Sequence, residues 1–133
     1  MNRDNLRRVA IWVDHREAIM VLFVGDHLDR EKEILAGADS PVRDVNLPQY
    51  HLETHRHEVL KQYYDDVIQR LGPVDEILIL GPGQAKHELR KRIEHHKGLK
   101  GKVIGLSTAP SLTEAQLVSK AEGFFKIHAL THS

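Results

Sequence analysis

Apolar residues follow two different rhythms along this chain, a dense β-type clustering at its start and a helical spacing further on. Val9–Val13 and Ala18–Val24 are β-rich apolar runs separated by Asp14-His15-Arg16-Glu17, a polar connection short enough for an antiparallel hairpin. Gly25-Asp26 supplies another turn. His27–Leu35 alternates imperfectly and carries too many charges for a central strand, which predicts an edge strand. Residues 36–50 contain Gly37, Pro41 and Pro48 with few large apolar groups, and read as a surface loop. From Leu52 to Leu71 the period lengthens: Leu60, Tyr63, Tyr64, Val67, Ile68 and Leu71 recur at three and four, predicting an amphipathic helix that Gly72-Pro73 ends. Glu76–Leu80 is a short apolar strand that runs into Gly81-Pro82-Gly83. A second helix follows, with Ala85, Leu89 and Ile93 on one face and basic residues on the others. Gly98 and Gly101 bracket its exit, and Lys102–Leu106 reads as a fifth strand. Ser111, followed three residues later by Glu114, matches a capping box for a last helix with the buried stripe Leu117, Val118, Ala121, Phe124 and Phe125.

The predicted order is βββαβαβα. The later β-α-β units require parallel strands with right-handed crossovers, whereas the first three strands form a meander. An α/β fold follows, a five-stranded mixed sheet with helices on both faces, which is the ribonuclease-H-like arrangement. That scaffold serves nucleases, ATPases and translation factors alike, so it does not by itself give a function. The length of 133 residues predicts a single domain over 1–133. Cysteine is absent, which excludes disulfides, thiolate zinc sites and cysteine nucleophiles. Met1–Arg8 does not resemble a secretory leader, and the longest apolar run, Ala18–Val24, is far shorter than the ~20 residues needed to span a bilayer. A soluble, cytoplasmic protein without membrane contact is expected. The charged third strand argues against easy edge pairing but leaves a homo-oligomer open.

Lys plus Arg and Asp plus Glu stand at 19 each, so only the distribution of charge is informative. Between residues 86 and 102 seven basic residues (Lys86, Arg90, Lys91, Arg92, Lys97, Lys100, Lys102) face two acidic ones, Glu88 and Glu94. That basic helix and loop is the strongest candidate for contacting a phosphate backbone. Gly81 and Gly83 permit backbone angles denied to other residues and precede a helix N-terminus, so they could form an anion-holding turn or simply pack. Their spacing matches neither the dinucleotide fingerprint nor the P-loop. Ten histidines are present, among them His51, His55 and His57, but no zinc-helix motif surrounds them. Asp14 ends the first strand, where nucleases of this architecture hold a metal. With only Glu58 to approach it, it reads as a turn residue bonding nearby N–H groups. Neither a cofactor nor a resident metal is predicted.

At Val9–Val24, His55–Val67 and above all Ile77-Leu-Ile-Leu-Gly-Pro-Gly-Gln-Ala-Lys86, the chain resembles the middle domain of archaeal and eukaryotic class-1 release factors and Pelota, in the form of small bacterial proteins bearing that domain alone. The resemblance is specific at Gly81, Pro82, Gly83 and Lys86 and covers nearly the whole chain. It implies a partner in the ribosome or tRNA. Release factors carry Gly-Gly-Gln in the loop before the first long helix, and that glutamine assists hydrolysis of peptidyl-tRNA. Here residues 36–51 contain Gly37 and Gln49 but no Gly-Gly-Gln, while Gly83-Gln84 lies at a different junction. Binding without ester hydrolysis is therefore the expectation. The alternative is a hydrolase acting on a tRNA ester or phosphoester through residues 36–57, with Gln49, His51 and His55 as candidate catalytic groups.

Overall fold

The structure is a computed structural model that describes the backbone of residues 6–25, 27–36 and 49–131 and the side chains of residues 6–25 and 56–128. Its elements are β1 (Arg7–Val13), β2 (Glu17–Val24), β3 (His27–Ala36), α1 (Gln49–Leu71), β4 (Glu76–Gly81), α2 (Ala85–Glu94), β5 (Val103–Thr108) and α3 (Glu114–Thr131). The strands form one mixed sheet in the order β3-β2-β1-β4-β5. β1 pairs antiparallel with β2 and parallel with β4, and β4 pairs parallel with β5. β3 lies at the edge, beside β2 alone, as its charge predicts.

The central strands are buried on both faces, so their side chains alternate between two cores rather than between core and solvent. Val9, Ile11, Val13, Ile77 and Ile79 point to the side covered by α1 and α2, with Tyr63, Val67, Leu71, Leu89 and Ile93 above them. Ala10, Trp12, Leu78 and Leu80 point to the side covered by α3, against Leu117, Ala121 and Phe125. Leu89 and Ile93 share their core with Tyr63, Val67 and Leu71, so α2 packs on the same side of the sheet as α1. Its outward face therefore lies beside α1, and both helices can contribute to one surface.

Several boundaries differ from expectation: β1 begins at Arg7 rather than Val9, β3 takes in Ala36, which reads as loop, and β5 runs Val103–Thr108 rather than Lys102–Leu106. Gln49 and Tyr50, read as loop, open α1, while residues 37–48 of the expected loop lie outside the described residues. The cap of α3 is built on Thr113 rather than Ser111. Gln116 N donates to Thr113 Oγ1 at 3.1 Å and Thr113 N donates to Gln116 Oε1 at 2.9 Å, a reciprocal capping box. Ser111-x-x-Glu114 and Thr113-x-x-Gln116 fit the same pattern, and the one nearer the first buried residue, Leu117, forms. At the other end of α1, Gly72 adopts φ of 60°, the left-handed residue that lets the chain leave the helix.

Candidate nucleic-acid interface

α2 is short and steeply divided. Ala85, Leu89 and Ile93 face the sheet, whereas His87, Arg90 and Lys91 are exposed. The chain then folds through tight turns in which Leu99 N donates to His96 O and Lys102 N to Leu99 O. These turns hold Lys97 and Lys100 at the surface next to the carboxyl end of α2. The dipole of a helix favours cations at that end.

The seven basic residues nominated from sequence do not form one surface. Lys86 is only 5% exposed, and its Nζ reaches back to donate to Gly83 O at 2.6 Å. Its long apolar stem lies with the α2 residues that face the sheet, so it is a bracing group rather than a surface contact. Arg92 is joined to Asp65 of α1, with Nε to Oδ1 at 3.0 Å and Nη2 to Oδ1 and Oδ2 at 2.8 and 2.9 Å. Lys102 Nζ donates to Val74 O at 2.8 Å and ties the start of β5 to the turn before β4. Arg90, Lys91, Lys97 and Lys100 remain, exposed and without an ion pair among the described residues. His87, Arg90, Lys91, Glu94 and His95 line a shallow cleft of about 400 Å³ on this outer face.

Gly81 and Gly83 owe their places to different causes, and neither has a positive φ. At Gly81 an added Cβ would collide with the Val13 carbonyl oxygen, because the ends of β1 and β4 approach too closely for a side chain. At Gly83 it would meet nothing. Gln84 caps α2 with no side-chain hydrogen bond. Asp14 is a turn residue, its Oδ1 accepting from Arg16 N at 2.7 Å and Glu17 N at 2.8 Å. Among the described residues no three His, Asp or Glu side chains converge on a point that could hold a metal ion. Gln49, His51 and His55 lie in the first two turns of α1, with His51 and His55 one turn apart, and their side chains lie outside the described residues.

One constellation had no counterpart in the sequence reading. Glu88 Oε1 accepts from Tyr64 OH at 2.5 Å and lies 3.1 Å from His15 Nε2, linking α2, α1 and the β1–β2 hairpin. Tyr63 OH donates to Asp14 O at 3.0 Å. Burial first pushes both phenols well above their ordinary value; the charges of Asp14 and then Glu17 add to this at Tyr63, the hydrogen bond and charge of Glu88 at Tyr64. The signal was present: a tyrosine on the buried stripe of a helix needs an acceptor for its hydroxyl, and periodicity does not say which.

No family model and no curated protein matches the sequence. Among solved structures the fold is similar to the Pelota protein of Thermoplasma acidophilum, with a TM-score of 0.60 and 17% identity over 92% of this chain and 35% of that one. Archaeoglobus fulgidus Pelota gives a TM-score of 0.58 and 10% identity over 96% of this chain and 36% of that one. An archaeal translation termination factor gives 0.51 and 19% identity, over 94% of this chain and 41% of that one. The chain thus spans well under half the length of each. At such identities the likeness is one of fold. No helix among the described residues is long and apolar enough to cross a membrane.

Proposed function

We propose that this protein is a cytoplasmic ribosome- or tRNA-associated binding protein related to translation termination or ribosome rescue, without peptidyl-tRNA hydrolysis. We assign its sheet to the ribonuclease-H-like arrangement and its fold to the middle-domain type of release factors and Pelota. The observation that carries the reading is the sorting of the basic residues. Lys86, Arg92 and Lys102 are held by Gly83, Asp65 and Val74, while Arg90 and Lys91 on α2 and Lys97 and Lys100 in its exit turns are exposed. Exposed cations without an ion pair among the described residues meet a phosphate backbone by charge and release counterions on doing so.

Co-sedimentation with ribosomes and binding to tRNA across a salt series test this. Four phosphate contacts imply a slope of log K against log salt of about −3 for single-stranded RNA. Arg90→Gln, Lys91→Gln, Lys97→Gln and Lys100→Gln together should abolish binding at moderate salt while the fold persists. Binding that is independent of salt, absent at every salt, or unchanged in the quadruple variant overturns the reading. The wild-type protein is expected to show no peptidyl-tRNA hydrolysis with or without divalent metal. Turnover that fell on substituting Gln49, His51 or His55 by Ala would make it a hydrolase instead.

A further inference from the structure

A groove of about 350 Å³ runs between α1 and α2, its walls carrying His57, Lys61 and Tyr64 from one helix and Lys91, Arg92 and His95 from the other. Its charges are unevenly engaged. Both oxygens of Asp65 accept from Arg92, so that pair holds the helices together and largely cancels itself. Glu88 Oε1 is taken by Tyr64 OH and faces His15 Nε2. Among the described residues Lys61 pairs with Glu58 alone, at 3.8 Å, with side-chain exposures of 46% and 67%, an arrangement worth little in water. Lys91 makes no ion pair among the described residues. Asp65 is neutralised by Arg92, Glu88 lines the groove with its side chain 42% exposed and Oε1 held by Tyr64, and two ammonium groups and two imidazoles outnumber that one carboxylate.

We propose that this groove binds a phosphate group, carried by a phosphomonoester or a phosphodiester. The donors stand on two sides of one groove, Lys61 and His57 on α1 and Lys91 and His95 at α2 and its C-cap, an arrangement that suits the tetrahedral oxygens of a phosphate group. Leu60 and Tyr64 give the groove an apolar floor on which the rest of a nucleotide lies. Its volume is at the lower end of the range for small-molecule sites, enough for one phosphate-bearing unit and too small for a duplex. Lys91 and His95 also line the outer cleft, but Lys61 and His57 do not. The groove is therefore separable from the outer face, and its occupancy does not require that face to meet RNA.

The test is a titration of the wild-type protein with inorganic phosphate, 5′-AMP and a short single-stranded oligoribonucleotide at constant ionic strength, followed by amide NMR shifts. Shifts should gather at residues 57–64 of α1 and at residues 88–94 of α2 with its C-cap His95. Lys61→Gln with Lys91→Gln, both exposed positions, should weaken phosphate and AMP about tenfold or more. Arg90→Gln, Lys97→Gln and Lys100→Gln together should leave both affinities unchanged. Tighter binding of AMP than of phosphate marks use of the apolar floor, and tighter oligonucleotide marks a phosphodiester as the occupant. Groove amides unmoved by all three ligands, or affinities unaltered in the Lys61/Lys91 variant, overturn the proposal even if RNA binds along α2. If AMP shifts the groove while no RNA or ribosome binds, the groove stands and the translational reading falls.

Discussion

Gly81 and Gly83 flank the same proline and have opposite physical meanings. Gly81 sits where a Cβ would be driven into the backbone of β1, and neither parallel strand can retreat without disturbing the two cores it separates. Gly81→Ala is expected to cost about 3 kcal/mol, the upper range for forced overpacking. Gly83 has open space and an ordinary φ, so Gly83→Ala should stay within about 0.5 kcal/mol of wild type. Urea unfolding checks both: the first midpoint should drop with an unchanged slope, and the second should hardly move. Lys86 shows the same divergence between type and place. Charge alone marks it as a surface residue, but its position one turn before Arg90 is less decisive than its neighbours Ala85 and Leu89, which turn this side of the helix inward.

At the scale of elements, α1 is fastened by its tyrosines to the hairpin at one point and to α2 at another. Both phenols have folded-state pKa values raised above the ordinary 10.0, so the neutral forms contribute stability that is complete below that pH. As pH rises past about 10 the unfolded chain loses protons that the folded one keeps, and stability declines. An alkaline absorbance titration should show Tyr63 and Tyr64 ionising only as the protein unfolds, and Tyr64→Phe should soften the loss of stability. An earlier, independent ionisation of both would mean that the hydroxyls are not held as described. The elements themselves were largely legible because β1, β2, β4 and the later part of α1 announce their period through large apolar residues. The first residues of α1, Gln49 and Tyr50, were not, since they precede the apolar stripe and follow Pro48 closely enough to read as loop. The Thr113 cap was ambiguous because two capping patterns overlap within six residues. Of the candidate interface, the exposed cations could be read directly, but their separation from Lys86, Arg92 and Lys102 depends on Asp65, Val74 and Gly83, partners distant in sequence or hidden in backbone atoms.

For the molecule as a whole, the sheet closes the place where parallel α/β sheets usually receive a ligand, the crevice beyond the carboxyl ends of adjoining strands. Gly81 is pressed on the Val13 carbonyl, Ala109 N donates to Gly81 O at 3.0 Å, and Trp12 Nε1 donates to Pro110 O at 2.9 Å. Backbone and indole thus occupy that end of β1 and β4 among the described residues. Lys86 is sealed in beside this closure, which gives the protein a built-in chemical clock. An amine-acylating reagent should modify Lys91, Lys97 and Lys100 at once and reach Lys86 only when α2 lifts from the sheet. Peptide mass spectrometry over time would then read the opening of this helix from a single residue. Lys86 labelling as fast as that of Lys97 would show that α2 does not hold its ammonium group out of solvent.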